Sequence, residues 1–111
     1  MPFINVKIST SLADSTVILK KLSKALSNET GKSEDYVMTS IETNNKMTFA
    51  GSEEPCCFIQ IKSIGAIHAK RMSEVFTKLI AEDTSIDPSR IYIEFKDVES
   101  KYWAWKGFTF G

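Results

Sequence analysis

The chain has 111 residues, 42% of them hydrophobic and 25% charged, with 14 basic and 14 acidic side chains and a formal net charge of zero. That length suits one hydrophobic core and leaves no room for two, and the charge balance lacks the basic excess on which phosphate-backbone binding relies. No apolar run approaches the roughly 18 residues of a membrane span, and no basic-then-apolar leader opens the chain, so a cytoplasmic protein with neither nucleic acid nor membrane as partner is expected.

Residues 2–8 alternate, with Ile4, Val6 and Ile8 opposed to Phe3, Asn5 and Lys7, which is the period of a half-buried strand. Pro2 stands at its start, where a residue without an N–H is tolerated. Pro2 also has a chemical reading: initiator methionine is usually removed ahead of a small residue, and the free secondary amine so exposed can act as a base. Ser11 to Asp14 has the spacing of a capping box. Ile18, Leu19, Leu22, Ala25 and Leu26 then recur at helical intervals, predicting a helix to about Asn28 that Gly31 closes. Tyr36–Glu42 is rich in β-formers, Asn44-Asn45 marks a turn, and Met47–Phe49 reads as a short return.

The second half repeats the plan. A strand over Cys57–Ile64 precedes a helix that starts beside a surface His68 and carries Met72, Val75, Phe76, Leu79 and Ile80 on one face. Asp87-Pro88 interrupts, Arg90–Lys96 forms another strand, and an aromatic tail with short C-terminal strands follows. The expected fold is α+β, a single domain over 1–111 made of two βαβ units at about 2–45 and 56–97. Right-handed crossovers place both helices on one face of a four-stranded sheet. The other face is left bare and chemically mixed, with Asn5, Lys7, Gln60, Lys62, Glu94 and Lys96 on it, and a closed homo-oligomer is the natural cover. Adjacent Cys56 and Cys57 point to opposite faces of a strand and read as reduced packing thiols. One histidine and no spaced Cys/His/Asp cluster leave no donor set for a metal.

Six motifs in register carry a resemblance over the whole chain: Met1-Pro2, Thr30-Gly-Lys32 ahead of Tyr36, Phe49-Ala-Gly-Ser-Glu-Glu-Pro-Cys56, Ser63-Ile-Gly65, Arg90-Ile-Tyr92 and Phe108-Thr-Phe-Gly111. In that order the chain resembles the macrophage migration inhibitory factor family of the tautomerase superfamily. The resemblance implies a homotrimer with active sites between subunits and a cofactor-free keto–enol tautomerisation of phenylpyruvate-like or dopachrome-like compounds, small aromatic 2-oxo acids among them. It assigns the catalytic base to Pro2, carboxylate binding to Lys32 and the backbone N–H of Ile64, and the pocket lining to Ser63 and Tyr36. Tyr92 is implied to reach in from a neighbouring subunit, and Trp105 and Phe110 to form aromatic walls. A buried amine beside a lysine is pushed toward its neutral, basic form.

Each assignment has a plainer alternative. Tyr92 suits strand packing, Lys32 suits a solvated helix end, and Trp103, Trp105, Phe108 and Phe110 suit simple closure of a small core. Three departures from the family's pattern stand out: Glu94 where asparagine is expected near the pocket, Trp103 in place of a smaller aliphatic residue at its mouth, and Ile59 in place of the second cysteine of a Cys-x-x-Cys pair. The last removes the warrant for thiol–disulfide exchange. A second functional reading is a cytokine-like interaction protein with an inherited pocket, a receptor as partner and release from cells without a signal peptide.

Overall fold

The N-terminal alternation becomes strand β1 (Phe3–Ile8) in a computed structural model that describes residues 1–111. β1 pairs in parallel with β2 (Met38–Glu42), and β3 (Cys57–Ser63) in parallel with β4 (Ile91–Asp97). The two pairs meet antiparallel across β1 and β3, giving a mixed sheet of order β2-β1-β3-β4. Helices α1 (Ser15–Thr30) and α2 (Ala69–Thr84) are the two crossovers. A hairpin of β5 (Ala104–Trp105) and β6 (Phe108–Thr109) ends the chain.

Period-two alternation decides which strand residues meet the helices. Ile4, Val6 and Ile8 of β1 and Cys57, Ile59 and Ile61 of β3 are buried against Ile18, Leu22 and Leu26 of α1 and Met72, Phe76 and Ile80 of α2. This one core draws on both βαβ units, with Ile86 and Ile91 completing it. Two ion pairs, Lys21 to Asp83 at 2.9 Å and Arg71 to Glu29 at 2.8 Å, join the helices on their outer side. Both are partly exposed and worth at most about 1 kcal/mol each. The opposite sheet face has no layer over it: Phe3, Asn5, Lys7, Met38, Phe58, Lys62, Tyr92 and Lys96 share it by register.

Local details differ from the sequence reading in three places. Asp14 is itself the N-cap of α1, its side chain accepting the Thr16 N–H at 3.0 Å, so Ser11 to Asp14 is not a capping box and the helix runs on to Thr30. Gly31 closes it as read, in the left-handed conformation at φ 71°, its N–H donating to the Ser27 carbonyl. Tyr36 falls in a single 3-10 turn (Glu34–Tyr36) before β2, because Ser33 caps that turn by accepting the Asp35 N–H. Met47–Phe49 forms no strand. The Asn45 side chain donates to the carbonyls of Ile8 and Glu42, taking acceptors a returning strand would use, and Phe49 bonds only to Ser52 across a tight turn.

Candidate active site

Pro2 opens β1 from a fully buried position. Its carbonyl accepts the Met38 N–H at 3.1 Å, so the first rung of the β1–β2 ladder anchors the residue, and its nitrogen, which has no hydrogen to give, is not missed by the sheet. Around it lies a largely apolar cleft of about 450 Å³, lined by Met1, Pro2, Phe3, Asp35, Tyr36, Val37, Met38, Lys62, Trp103, Ala104 and Trp105. The C-terminal hairpin builds one wall. Lys106 and Gly107 both take positive φ (55° and 85°), the turn that suits a two-residue hairpin, and this returns the chain so that Trp105 meets Tyr36 edge to face at 5.7 Å. Lys106 Nζ caps the Trp105 ring at 4.3 Å from its centroid.

Lys32 leaves the Gly31 cap and lines a second cavity of about 380 Å³ with Met1, Tyr36, Ile64, Ser100 and Phe110. Ile64 is held there because the neighbouring Gly65 N–H donates to Asp97 Oδ1 at 2.9 Å while the Ser63 carbonyl accepts the Val98 N–H at 2.8 Å. Met1 and Tyr36 line both cavities, so in the unprocessed chain they form the partition between Pro2 and Lys32. The terminal ammonium of Met1 is held below its ordinary value, first by burial and then by the positive charge of Lys32.

Pro2, Tyr36, Trp103 and Trp105 therefore share one cavity, and Lys32, Tyr36, Ile64 and Phe110 its neighbour. Three expected site residues are not brought there within one chain. Ser63 points to the core with Cys57, Ile59 and Ile61; its hydroxyl is fully buried without a hydrogen-bond partner, and only its backbone serves the site. Tyr92 and Glu94 lie on the uncovered face of the edge strand β4, where Tyr92 is 63% exposed and packs on Phe49 at 4.8 Å, and Glu94 accepts from Gln60 Nε2 at 3.1 Å. Phe3, Met38 and Lys62 are cavity residues the sequence reading missed. Alternation put Phe3 and Lys62 on the bare face, but only the β1–β3 register sets them opposite each other beside Pro2. No group of three or more His, Cys, Asp or Glu side chains gathers anywhere in the chain, and no helix is long and apolar enough to cross a membrane.

A family model described as macrophage migration inhibitory factor matches residues 1–111. A macrophage migration inhibitory factor homolog of Brugia malayi is 39% identical over 100 residues, which cover 87% of each chain. The Wuchereria bancrofti homolog is 37% identical over the same coverage. The crystal structure of a macrophage migration inhibitory factor homologue from Prochlorococcus marinus superposes with a TM-score of 0.94 at 41% identity, covering 98% of this chain and 99% of that one.

Proposed function

The chain belongs to the macrophage migration inhibitory factor family, and on that premise we propose that it is a cofactor-independent keto–enol tautomerase of phenylpyruvate-like or dopachrome-like substrates with Pro2 as its base. The observation that carries this reading is the partition. Removing Met1 takes away a wall common to the two cavities and frees the nitrogen of Pro2, which lines the first cavity with Trp103 and Trp105, while Lys32 and Ile64 line the second and Tyr36 lines both.

The chemistry asks for little else. The neutral Pro2 nitrogen takes the proton from the carbon beside the ketone, the electron pair of that C–H bond becomes the enol double bond, the carbonyl π pair moves onto oxygen, and that oxygen takes the proton back from the Pro2 ammonium, which returns the base to its neutral form. Lys32 and the Ile64 N–H hold the substrate carboxylate and offset charge that grows as the proton leaves. Burial and the positive charge of Lys32, the two causes that lower the Met1 ammonium, would favour the neutral form of a freed Pro2 amine in the same way. Aromatic walls suit an aryl side chain, since ring stacking adds about 0.5–1.5 kcal/mol beyond area burial.

A trimer is part of the same proposal. Met38, Tyr92 and Phe108 are 66%, 63% and 78% exposed on a chain whose second sheet face has no cover. Packing the sheets of three copies around a common axis would bury that surface and bring Tyr92 and Glu94 of one subunit toward the cleft of another. Intact mass, light scattering and a phenylpyruvate assay on one sample test the reading. The expected result is a trimer lacking Met1 that turns over, with a loss of about 100-fold or more in Pro2→Gly, the scale of a positioned base. A processed trimer that is silent on enolisable aryl pyruvates would refute the enzyme reading and favour a receptor-binding protein.

A further inference from the structure

Ile64, whose backbone N–H the proposed site uses, directly follows the last residue of β3. The Ser63 carbonyl accepts the Val98 N–H at 2.8 Å and so points toward the end of β4; in the planar trans peptide the Ile64 N–H points the other way, toward the start of β1. There it finds no backbone acceptor. The antiparallel register that sets Phe3 against Lys62 continues to Met1 against Ile64, so removal of Met1 leaves this donor unopposed beside Pro2. The chain then turns away through two consecutive positive φ angles, 69° at Gly65 and 55° at Ala66. Glycine takes that region freely, but alanine is strained there. One hydrogen bond ties residues 64–67 to the rest of the chain: the Gly65 N–H donates to Asp97 Oδ1 at 2.9 Å. Asp97 pairs with Ser63 at the end of β4 and has the parity of Ile91, Ile93 and Phe95, which pack on the core, so it belongs to the helix side of the sheet and not to the face a trimer would cover.

We propose that Asp97 is a positioning residue for substrate binding: by holding the Gly65 N–H it fixes the turn at Gly65-Ala66 and keeps the Ile64 N–H aimed at the carboxylate that Lys32 also meets. This rests on the tautomerase reading. What Asp97 supplies is an acceptor in one place; its charge would oppose an anionic substrate. Without that acceptor the strained turn relaxes, the substrate itself has to order the donor, and the ordering subtracts from affinity. The effect is confined to compounds that carry the carboxylate.

Phenylpyruvate and phenylacetone share ring and ketone and differ in the carboxylate, so together they separate this role from general stability. Their dissociation constants are measured from amide NMR shifts on the processed full chain, for the parent protein, Asp97→Ala and Asp97→Asn, with Gly65 amide exchange recorded alongside. Asp97 is exposed at the end of its strand, and its truncation removes no core packing. Asp97→Ala should weaken phenylpyruvate about tenfold, the low end for a hydrogen bond to a charged group, leave phenylacetone within about twofold, and quicken Gly65 exchange. Asp97→Asn, which keeps Oδ1, should recover most of the loss. In turnover the deficit should fall on KM more than on kcat. Equal losses for both compounds, an unchanged phenylpyruvate affinity, or an Asp97→Asn that matches Asp97→Ala would each overturn the proposal. A protein silent on phenylpyruvate whose Asp97→Ala loses the preference for the acid would keep this inference and remove the enzyme reading; turnover with an unmoved KM would do the reverse.

Discussion

Arg90 tests whether one side chain positions the loop behind Tyr92. Its guanidinium donates to the carbonyls of Pro55 at 3.0 Å, Glu54 at 3.0 Å and Ser52 at 3.2 Å, and lies 5.3 Å from the Phe49 ring centroid. Phe49 in turn packs against Tyr92. Hydrogen bonds to charged groups measure about 1.5–3 kcal/mol, but only the Ser52 contact is partly buried; water replaces the donor at the other two, which are worth about 0.5 kcal/mol each. With about 0.5 kcal/mol for the cation–π contact, Arg90→Ala should cost about 3 kcal/mol. Urea denaturation at fixed protomer concentration should then show the midpoint falling by about 2 M for a slope near 1.5 kcal/mol/M. Arg90→Lys should recover about a third, because a compact ammonium cannot fork to three carbonyls. The freed Gly51–Pro55 loop should also be cut sooner by protease. A loss below about 0.5 kcal/mol in Arg90→Ala, inside the range of ordinary surface substitutions, would refute this account.

Replacing Lys32 by Gln removes the second of the two causes that lower the Met1 ammonium, so that amine should titrate at higher pH, moving toward its ordinary value, when followed by NMR in the unprocessed chain. No upward movement would mean burial acts alone. Ser63→Ala deletes a buried hydroxyl that has no partner and should leave stability equal or raise it by up to about 1 kcal/mol in thermal unfolding; a clear loss would reveal a bond the fold depends on. The Cys57 thiol is pushed up to about 12 by burial and then by Cys56, so it stays protonated in the folded protein, and both thiols should resist an aromatic disulfide reagent at pH 8 until the chain unfolds. The unfolded chain would release that proton first, near pH 9, so folding should weaken as pH climbs from 9 toward 12; stability flat across that range would contradict the burial of Cys57.

Sequence alone determined what depends on spacing. The helical recurrence of Ile18, Leu22 and Leu26 and of Met72, Phe76 and Ile80, and the alternation along β1 and β3, are one-dimensional consequences of 3.6- and 2-residue periods, and each lands in the core as read. Pro2, Lys32 and Tyr36 were legible as a motif set, and Gly31 as a cap, because their local chemistry is carried within a few residues. Partnership was not. Periodicity says which face a residue occupies and is silent on which strand lies beside it and in what register. Only the antiparallel joining of β1 to β3 sets Phe3 against Lys62, and only the turn at Lys106-Gly107 brings Trp105 back to Tyr36. Ser63 is inward by the same alternation as Cys57, Ile59 and Ile61, whereas that limit explains Tyr92 and Glu94, which sit on an edge strand with no cavity of their own. Hydrophobic burial chose the faces; the long-range hydrogen-bond ladder, which no local pattern encodes, chose the neighbours and so the shape of the cleft around Pro2.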